Sequence, residues 1–369
     1  MSMNKNKIIF FTRRKPDLTL AHFQRTNKLM SLFKDTFKEE VILFNTYDEN
    51  LSHTKLILES KKKIKRFLKT LDKNVDIFVI DDLDPRGIKV LNKYAKKHHI
   101  KVYIDIVEYA DRREKRFGLL SPSLILNHRM IKRSVKKNMT VIAISSFFVN
   151  YYNKKGIKSV LIPNLVDEKE IASYQENKND KKTSFIFAGY PQKKDALDVT
   201  MLAMLDLYKE EPRDFNFHIA GIDEEAFFIK YPRLVKYRQT IREFSVFHGC
   251  VKREAIKSLY YKAHFSIIMR DPSLKVTQSG FPTKFSESLG YGCPVIANLT
   301  SDIFRYLKDK YNGFIVHGYN KKSLLEALKK AIKTQKNYEK MANNALESAK
   351  EYFLPSIYFE RLRESKNEE

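Results

Sequence analysis

The residues with the clearest chemical pattern lie in one glycine-rich stretch, GFPTKFSESLGYGCPVIAN, at residues 280–298. Gly280 and Pro282 predict a turn with free backbone amides, followed directly by a helix. Lys284 and the amides of that helix N-terminus could together bind an anion such as a diphosphate. Glu287, one turn along the same face, could accept hydrogen bonds from a ribose diol. A capped helix with a solvated Lys284–Glu287 pair fits the same pattern, and both interpretations stay open here.

A second candidate anion site occurs in FIFAGYPQKKDALDV, at residues 185–199. Gly189 allows the backbone to turn directly after a predicted strand, and Asp195 stands where a helix N-cap is expected. Lys193 and Lys194 lie at the tip of the loop, so a phosphate there would meet amides and cations together. Paired lysines on a loop are equally typical of a solvated surface.

Charged residues also cluster in KVYIDIVEYADRREK, which begins with a predicted strand at 101–107. Asp105 and Glu108 lie near the carboxyl end of this strand, and a carboxylate there could orient a substrate hydroxyl. The alternative is that both acids pair with nearby arginines such as Arg112. Arg13, which follows the first predicted strand, is the other basic candidate for this side of the molecule.

The segments that must position these residues alternate between short β-branched runs and longer amphipathic stretches. This alternation predicts right-handed βαβ units and a mostly parallel sheet. A polar segment at 166–182 interrupts it, after which it restarts. We therefore predict an α/β chain with two Rossmann-like domains. The predicted strands are residues 7–11, 40–45, 75–81, 101–107, 140–145 and 159–164, then 183–190, 215–221, 245–249, 264–270, 293–298 and 313–317.

The net charge of +25 is unevenly distributed. Residues 1–165 contain 35 Lys and Arg against 16 Asp and Glu, whereas the remaining residues contain 34 against 28. Such an excess attracts polyanions, either nucleic acid or an anionic membrane surface. Only the charge favours nucleic acid, because the chain lacks the interleaved aromatic motifs of nucleic-acid-binding folds. The helix predicted at 59–74 has the pattern of a basic interfacial helix, but its apolar residues favour a core-facing helix with solvated lysines.

Membrane spans and secretion signals are not predicted. No apolar run approaches about 18 residues, and the N-terminus has the pattern of a first strand rather than a signal peptide. The two cysteines, Cys250 and Cys293, have neither metal-ligand spacing nor a disulfide framework, which indicates a reducing compartment.

The stretch at 280–298 resembles the signature of the family 4 glycosyltransferases, which are retaining enzymes with the GT-B fold. Glu287, Gly292 and Pro294-Val295 stand at the intervals typical of that family. Further matches run in order along residues 75–320, in VIAISSFFVNYYNKKGIKSVLIPNLVD, FIFAGYPQKKDAL and SVFHGCVKREAIKSLYYKAHFSIIM. The resemblance implies two Rossmann-like domains with parallel sheets that face each other across a cleft.

The resemblance also implies roles for individual residues. Glu287 would bind the donor ribose, Lys284 would lie along the diphosphate or sugar, and Lys194 would stabilise the leaving diphosphate. The predicted catalytic residues are then Lys194, Lys284, Glu287 and Asp105; the donor-binding residues are Gly189, Tyr190, Lys193, Val251, Lys252, Ser279, Gly280, Phe281, Pro282 and Thr283; and the acceptor-binding residues are Arg13, Glu108 and Arg112. No metal site is predicted.

Three positions depart from the family pattern. Ser279 stands where the family often has a glutamate that contacts the donor sugar, and Tyr190 lies near the place of an arginine. FFTRRKPDLTL replaces the N-terminal glycine-rich loop. These departures leave the donor sugar open. They also keep a second hypothesis, a non-catalytic GT-B homologue that binds a nucleotide sugar or glycan as a partner subunit.

The expected organisation follows from this resemblance. Residues 1–165 would bind the acceptor, 166–182 would be a linker, 183–351 would bind the nucleotide sugar, and a C-terminal helix within 352–369 would pack back on the first domain. The expected reaction is transfer from a UDP- or GDP-linked sugar, with no other cofactor, to a hydroxyl of a lipid-linked, cell-surface polysaccharide or other glycan acceptor. The basic first domain implies a cytoplasmic protein on the anionic inner face of the membrane, without a nucleic-acid partner.

Overall fold

The computed structural model describes residues 7–17, 20–50, 53–71, 74–114, 121–172, 182–211, 215–334 and 338–367. Within these ranges the chain forms two compact units. The first unit contains the residues up to Leu165, together with residues 279–281 and those from Pro355 onward. The second unit contains residues 166–278 and 282–354.

The first unit is built on a parallel sheet of six strands in the order β2-β1-β3-β4-β5-β6. Its central strands are buried because helices cover both faces, as parallel sheets require. The strands are β1 (Lys7–Thr12), β2 (Glu40–Asn45), β3 (Val75–Asp82), β4 (Lys101–Ile106), β5 (Met139–Ala143) and β6 (Ser159–Leu161). The helices are α1 (Ala21–Phe37), α2 (His53–Thr70), α3 (Pro85–Lys97), α4 (Pro122–Arg129), α5 (Ser146–Asn153) and, at the end of the chain, α16 (Phe359–Asn367).

The C-terminal residues complete the core of the first unit. Tyr358 and Leu362 are buried in one cluster with Phe33 of α1. The hydroxyl oxygens of Tyr103 and Ser365 lie 2.9 Å apart, which ties α16 to β4. The predicted C-terminal helix at 352–369 is interrupted, since proline at position 355 separates α16 from the helix before it.

Helix α2 faces the core with its apolar residues. Ile64 is completely buried and Leu68 is 7% exposed, whereas Lys65 and Arg66 between them are exposed. The core-facing interpretation of this basic segment is therefore confirmed, and its lysines form a solvated face.

The second unit contains another parallel six-stranded sheet, in the order β12-β11-β10-β7-β8-β9. Its strands are β7 (Thr183–Ala188), β8 (Phe215–Ala220), β9 (Ser245–Gly249), β10 (Phe265–Ile268), β11 (Val295–Asn298) and β12 (Gly313–Val316). Its helices are α6 (Glu168–Ala172), α7 (Leu197–Glu210), α8 (Glu224–Lys230), α9 (Arg238–Phe244), α10 (Arg253–Lys262), α11 (Lys275–Ser279), α12 (Thr283–Gly290), α13 (Ile303–Tyr306), α14 (Lys321–Lys333) and α15 (Tyr338–Phe353).

The predicted α/β class with two parallel, Rossmann-like sheets is confirmed. The segment predicted as a linker differs in part, because residues 166–172 belong to the second unit and include α6. Residues 173–181 of that prediction lie outside the described residues.

Candidate active site

The candidate site lies at the switch point of the second sheet. From β7 the chain continues to β8 and β9 on one side, whereas β10 pairs with the other side of β7. Loops that leave such a switch point diverge and form the crevice where α/β sheets bind ligands. Here the two loops are joined by backbone hydrogen bonds. The amide of Ala196 donates to Met269 O at 3.0 Å, and that of Asp271 donates to Lys194 O at 3.1 Å.

Lys284 reaches across this junction to Asp195. Its Nζ lies 2.6 Å from Asp195 Oδ1 and 4.4 Å from the centroid of the Phe187 ring. The alternative interpretation, in which Lys284 pairs with Glu287 on a solvated helix face, is therefore wrong. Asp195 is also not the predicted N-cap, since α7 begins after Ala196 without a side-chain cap.

The surroundings of Asp195 contain more positive than negative charge. Lys284, Lys194 and the buried Arg270 all act on this one buried carboxylate. Burial alone would raise the pKa of Asp195, but these three cations hold the pKa below its ordinary value. Burial lowers the pKa of Lys284, and repulsion from the other two cations acts in the same direction against the attraction of Asp195. An anion at this junction would relieve that repulsion.

Glu287 lies one turn further along α12 and faces a second charged group. Its Oε1 is 4.0 Å from Arg253 Nη1, and its side chain is partly exposed. Arg253 also donates from Nη2 to both oxygens of Glu170, at 3.0 and 3.2 Å. Arg253 and Glu170 were not predicted as site residues, although Arg253 directly follows the predicted Lys252 in the sequence.

The remaining donor-side residues occupy the loops around this junction. A Cβ atom on Gly221 would lie 2.4 Å from the carbonyl carbon of Gly189, so position 221 accepts no side chain. Both glycines also have positive φ, which glycine adopts readily. Tyr190 is 61% exposed, and Lys230 Nζ lies 5.1 Å from the centroid of its ring. Three further predicted residues are solvated to different degrees, with Lys193 and Lys252 exposed and Val251 half-buried. At the start of α12, Gly280, Phe281 and Pro282 are buried and Thr283 is half-buried.

Residues 279–281 are held by the first unit. The hydroxyl of Ser279 accepts a hydrogen bond from Tyr109 N at 2.9 Å, and its carbonyl accepts one from Ser145 Oγ at 2.5 Å. Asn164 Nδ2 donates to Phe281 O at 3.0 Å. These contacts anchor Ser279 to the first unit. Its position in the sequence did not predict this role.

Asp105 forms a buried ion pair that was not predicted. Its two carboxylate oxygens accept from Arg25 Nε and Nη2, at 2.9 and 2.8 Å. Arg25 also donates to Pro163 O at 2.8 Å and to Ile162 O at 3.0 Å. The alternative interpretation, in which Asp105 pairs with nearby arginines, is wrong, because its partner lies on α1, 80 residues away.

The predicted acceptor residues lie on the loops that leave the first sheet. Arg13 Nε is 3.3 Å from Asp82 Oδ2, and Arg112 is exposed on a short 3-10 helix. The carbonyl of Glu108 accepts a hydrogen bond from Asn127 Nδ2 at 3.2 Å. These positions leave the acceptor roles of the three residues as predictions.

Asp81, at the end of β3, was not among the predicted residues. Its Oδ2 accepts hydrogen bonds from Thr26 and Thr12, at 2.7 and 3.0 Å, and lies 3.4 Å from Arg14 Nε. Burial raises the pKa of Asp81 to about 6 against the opposing attraction of Arg14, and the nearby carboxylate of Asp105 raises it further.

This shift predicts a pH dependence of stability. Between the ordinary Asp pKa near 4 and about 6, the folded state holds a proton that the unfolded chain releases, so the free energy of unfolding should fall as pH rises through this window. Urea unfolding across that range should show this slope, and Asp81→Asn should remove it. The exposed Asp35 serves as the control, since Asp35→Asn should leave the slope unchanged. An identical slope in wild type and Asp81→Asn would contradict the assignment.

Neither metal sites nor membrane spans appear in the described ranges. No group of three or more His, Cys, Asp or Glu side chains there could hold a metal ion. Likewise, none of the helices described above is long and apolar enough to cross a bilayer.

Comparison with known proteins gives a family for the second unit. Residues 168–348 match the model of the family described as glycosyl transferases group 1. No curated protein sequence matches the chain.

Solved structures match both units. The lipopolysaccharide outer core galactosyltransferase WaaB in its apo form is 15% identical, with a TM-score of 0.64 over 97% of this chain and 98% of its own. Sucrose-phosphate synthase from Thermosynechococcus elongatus is 12% identical, with a TM-score of 0.74 over 98% of both chains. HepE from Anabaena, in complex with UDP and glucose, is 14% identical, with a TM-score of 0.66 over 98% of this chain and 99% of its own. At these identities the likeness establishes the GT-B fold of the chain, and the family match shows that its residues 168–348 belong to the group 1 glycosyl transferases.

Proposed function

We propose that this protein is a retaining glycosyltransferase that moves a sugar from a UDP-linked donor to a hydroxyl of a lipid-linked, cell-surface polysaccharide or other glycan acceptor. The observation that carries the proposal is the group of three cations around Asp195 at the sheet's switch point, with Glu287 one turn along α12. UDP is favoured over GDP because the HepE structure contains UDP and glucose, and that of a pneumococcal O-GlcNAc transferase contains UDP and GlcNAc. No cofactor beyond the donor is proposed.

The mechanism rests on charge that develops during bond breaking. As the bond between sugar and diphosphate breaks, negative charge accumulates on the departing phosphate. Lys284 would exchange its contact with Asp195 for that phosphate, and Lys194 would act from the adjoining loop. Because Asp195 already holds the Lys284 amine at this junction, little reorganisation is needed when the nucleotide binds.

Nucleoside recognition is proposed for the residues around α10 and α12. Glu287 would accept hydrogen bonds from the ribose diol, and the backbone at Val251 and Lys252 would flank the base. Arg253 lies within 4.0 Å of Glu287 and would keep that carboxylate oriented toward the ribose. The other predicted donor residues, including Gly189, Tyr190 and Lys193, would line the same site.

Acceptor binding is proposed for the first unit, with Arg13, Glu108 and Arg112 near the reacting hydroxyl. The charge excess of residues 1–165 supports a peripheral position on the anionic inner face of a membrane, where a lipid-linked acceptor would be presented. Retention of configuration is inferred from the family 4 resemblance. The anomeric configuration of the product, measured by NMR, tests it.

The first test of the donor site is Glu287→Ala. This change removes a charge-assisted hydrogen bond to the ribose worth about 1.5–3 kcal/mol, so affinity for UDP should fall about ten- to a hundredfold. Isothermal titration calorimetry measures this affinity directly. Glu254→Ala, which removes an exposed carboxylate from α10, is the matched control and should leave affinity unchanged.

The outcome separates three interpretations. Unchanged UDP affinity and unchanged melting temperature in Glu287→Ala would refute the ribose assignment. A lower melting temperature with intact UDP binding would make Glu287 a structural residue of a capped helix. The alternative function, a non-catalytic homologue, is favoured by serine at position 279, and it predicts UDP-sugar binding by the wild type without transfer or donor hydrolysis.

A further inference from the structure

A basic groove lies on the second unit, on residues that take no part in the proposed reaction. It has a volume of about 520 Å³ and is formed by the 3-10 helix Pro232–Tyr237 and by α9. The lining residues are Val235, Lys236, Arg238, Gln239, Thr240 and Arg242.

Two large apolar side chains on and just before this segment are exposed. Ile229, near the end of α8, is 81% exposed, and Val235 is 49% exposed. The same segment buries its other apolar residues, among them Leu234, Ile241 and Phe244, in the core of the unit. The exposure of Ile229 and Val235 is therefore a feature of this surface, and not the result of a poorly packed segment.

Basic residues are concentrated around these apolar side chains. Residues 229–242 include five Lys and Arg and no Asp or Glu, whereas Asp223, Glu224, Glu225 and Glu243 flank this segment. Arg238 and Arg242 each pair with Glu224, at 2.7 and 2.8 Å, and Arg238 also pairs with Glu225. The other three cations, Lys230, Arg233 and Lys236, form no ion pair within the part of the chain that the structure describes, although Lys230 and Lys236 lie over the rings of Tyr190 and Tyr237.

We propose that this surface docks on an anionic phospholipid bilayer. Ile229 and Val235 would enter the interface, while Lys230, Arg233 and Lys236 would contact lipid phosphates from around them. An anionic bilayer surface complements exposed aliphatic side chains that are surrounded by cations without ion pairs. Its acyl boundary accommodates the apolar groups, and its phosphates attract the charges. A soluble polyanion would complement the cations alone. The proposal does not depend on the transferase reaction.

The experiment is sedimentation of the full chain with phosphatidylcholine vesicles, prepared with and without phosphatidylserine. The first variant is Lys230→Gln/Arg233→Gln/Lys236→Gln. Because each cation near an anionic surface contributes about 1 kcal/mol, this variant should bind the phosphatidylserine vesicles about a hundredfold more weakly. The control is Lys322→Gln/Lys330→Gln/Lys333→Gln, which removes the same charge from exposed positions on α14 and should bind like wild type.

The apolar part is tested by Ile229→Asn, alone and with Val235→Asn. Binding to phosphatidylserine vesicles should weaken severalfold, whereas Ile125→Asn, at a 51% exposed position of α4, should have no effect. Melting temperature and UDP affinity, measured alongside, should stay at wild-type values and show that the variants fold.

Two results would overturn the proposal. Equal losses in the α14 control would mean that vesicles respond to the overall charge of the protein. Unchanged vesicle binding by Ile229→Asn, with a loss of heparin or duplex DNA binding in the basic variant, would make the groove a polyanion site. Neither result would affect the proposed transferase, whose readouts are UDP binding and sugar transfer.

Discussion

Replacing Lys284 by alanine is expected to lower kcat about a hundredfold or more, while the affinity for UDP falls only severalfold. The difference arises because the charge on the departing diphosphate is greater in the transition state than in the bound donor. Removing one preorganised donor to a developing oxyanion typically costs a factor of about 10²–10³ in rate. Single-turnover transfer kinetics and UDP titration measure the two effects separately.

The contact between Lys284 and Asp195 provides a decisive control. Lys284→Ala also leaves the Asp195 carboxylate buried without this cation. The uncompensated carboxylate can then contribute to any loss of activity. In Lys284→Ala/Asp195→Asn a neutral amide replaces that carboxylate. Activity that stays low in the double variant supports a direct role for Lys284 at the diphosphate, whereas recovery toward the wild-type rate would show that its function is to neutralise Asp195.

Replacing Arg25 by alanine is expected to destabilise the protein by about 3–5 kcal/mol. The change leaves the Asp105 carboxylate buried and without a cation, and it also removes the donors to Ile162 and Pro163. Urea unfolding measures the loss. Arg25→Met/Asp105→Leu should restore most of the stability, because replacing a buried ion pair by apolar side chains is often close to neutral.

The same pair of variants tests the predicted catalytic role of Asp105. If Asp105 orients the acceptor hydroxyl, the stable double variant should bind UDP normally but transfer sugar poorly. If transfer survives in the double variant, Asp105 contributes only to folding. An unfolding free energy of Arg25→Ala equal to that of wild type would contradict the stability prediction itself.

The local features of the donor site could be predicted from the sequence, and its long-range partners could not. The turn and helix at 280–290 and the positions of Lys284 and Glu287 on that helix follow from glycine, proline and helical spacing. The pairing of Lys284 with Asp195 depends on β10 lying beside β7, and strand order is set by packing across the whole sheet. For the same reason, the pairing of Arg25 with Asp105 has no local signal.

The surroundings of Ser279 and Ile229 could not be predicted either. The replacement of a glutamate by Ser279 is visible in the sequence, but its hydrogen bonds to Tyr109 and Ser145 join residues that are more than 130 positions apart. The exposure of Ile229 was also not predictable. It directly follows the buried Phe228 and comes five residues before the buried Leu234, and no feature of the local sequence separates an inward from an outward isoleucine there.

The order of synthesis makes the first unit depend on residues that are made long after its sheet. Its core includes Tyr358 and Leu362, yet the 189 residues from 166 to 354 are translated before them. At bacterial to eukaryotic elongation rates this interval lasts roughly 10–40 s. During that time the apolar surface on α1 that these residues cover is exposed to chaperones and to aggregation on the ribosome. Synthesis of the segment with Tyr358 and Leu362 therefore determines when the first unit can complete its core.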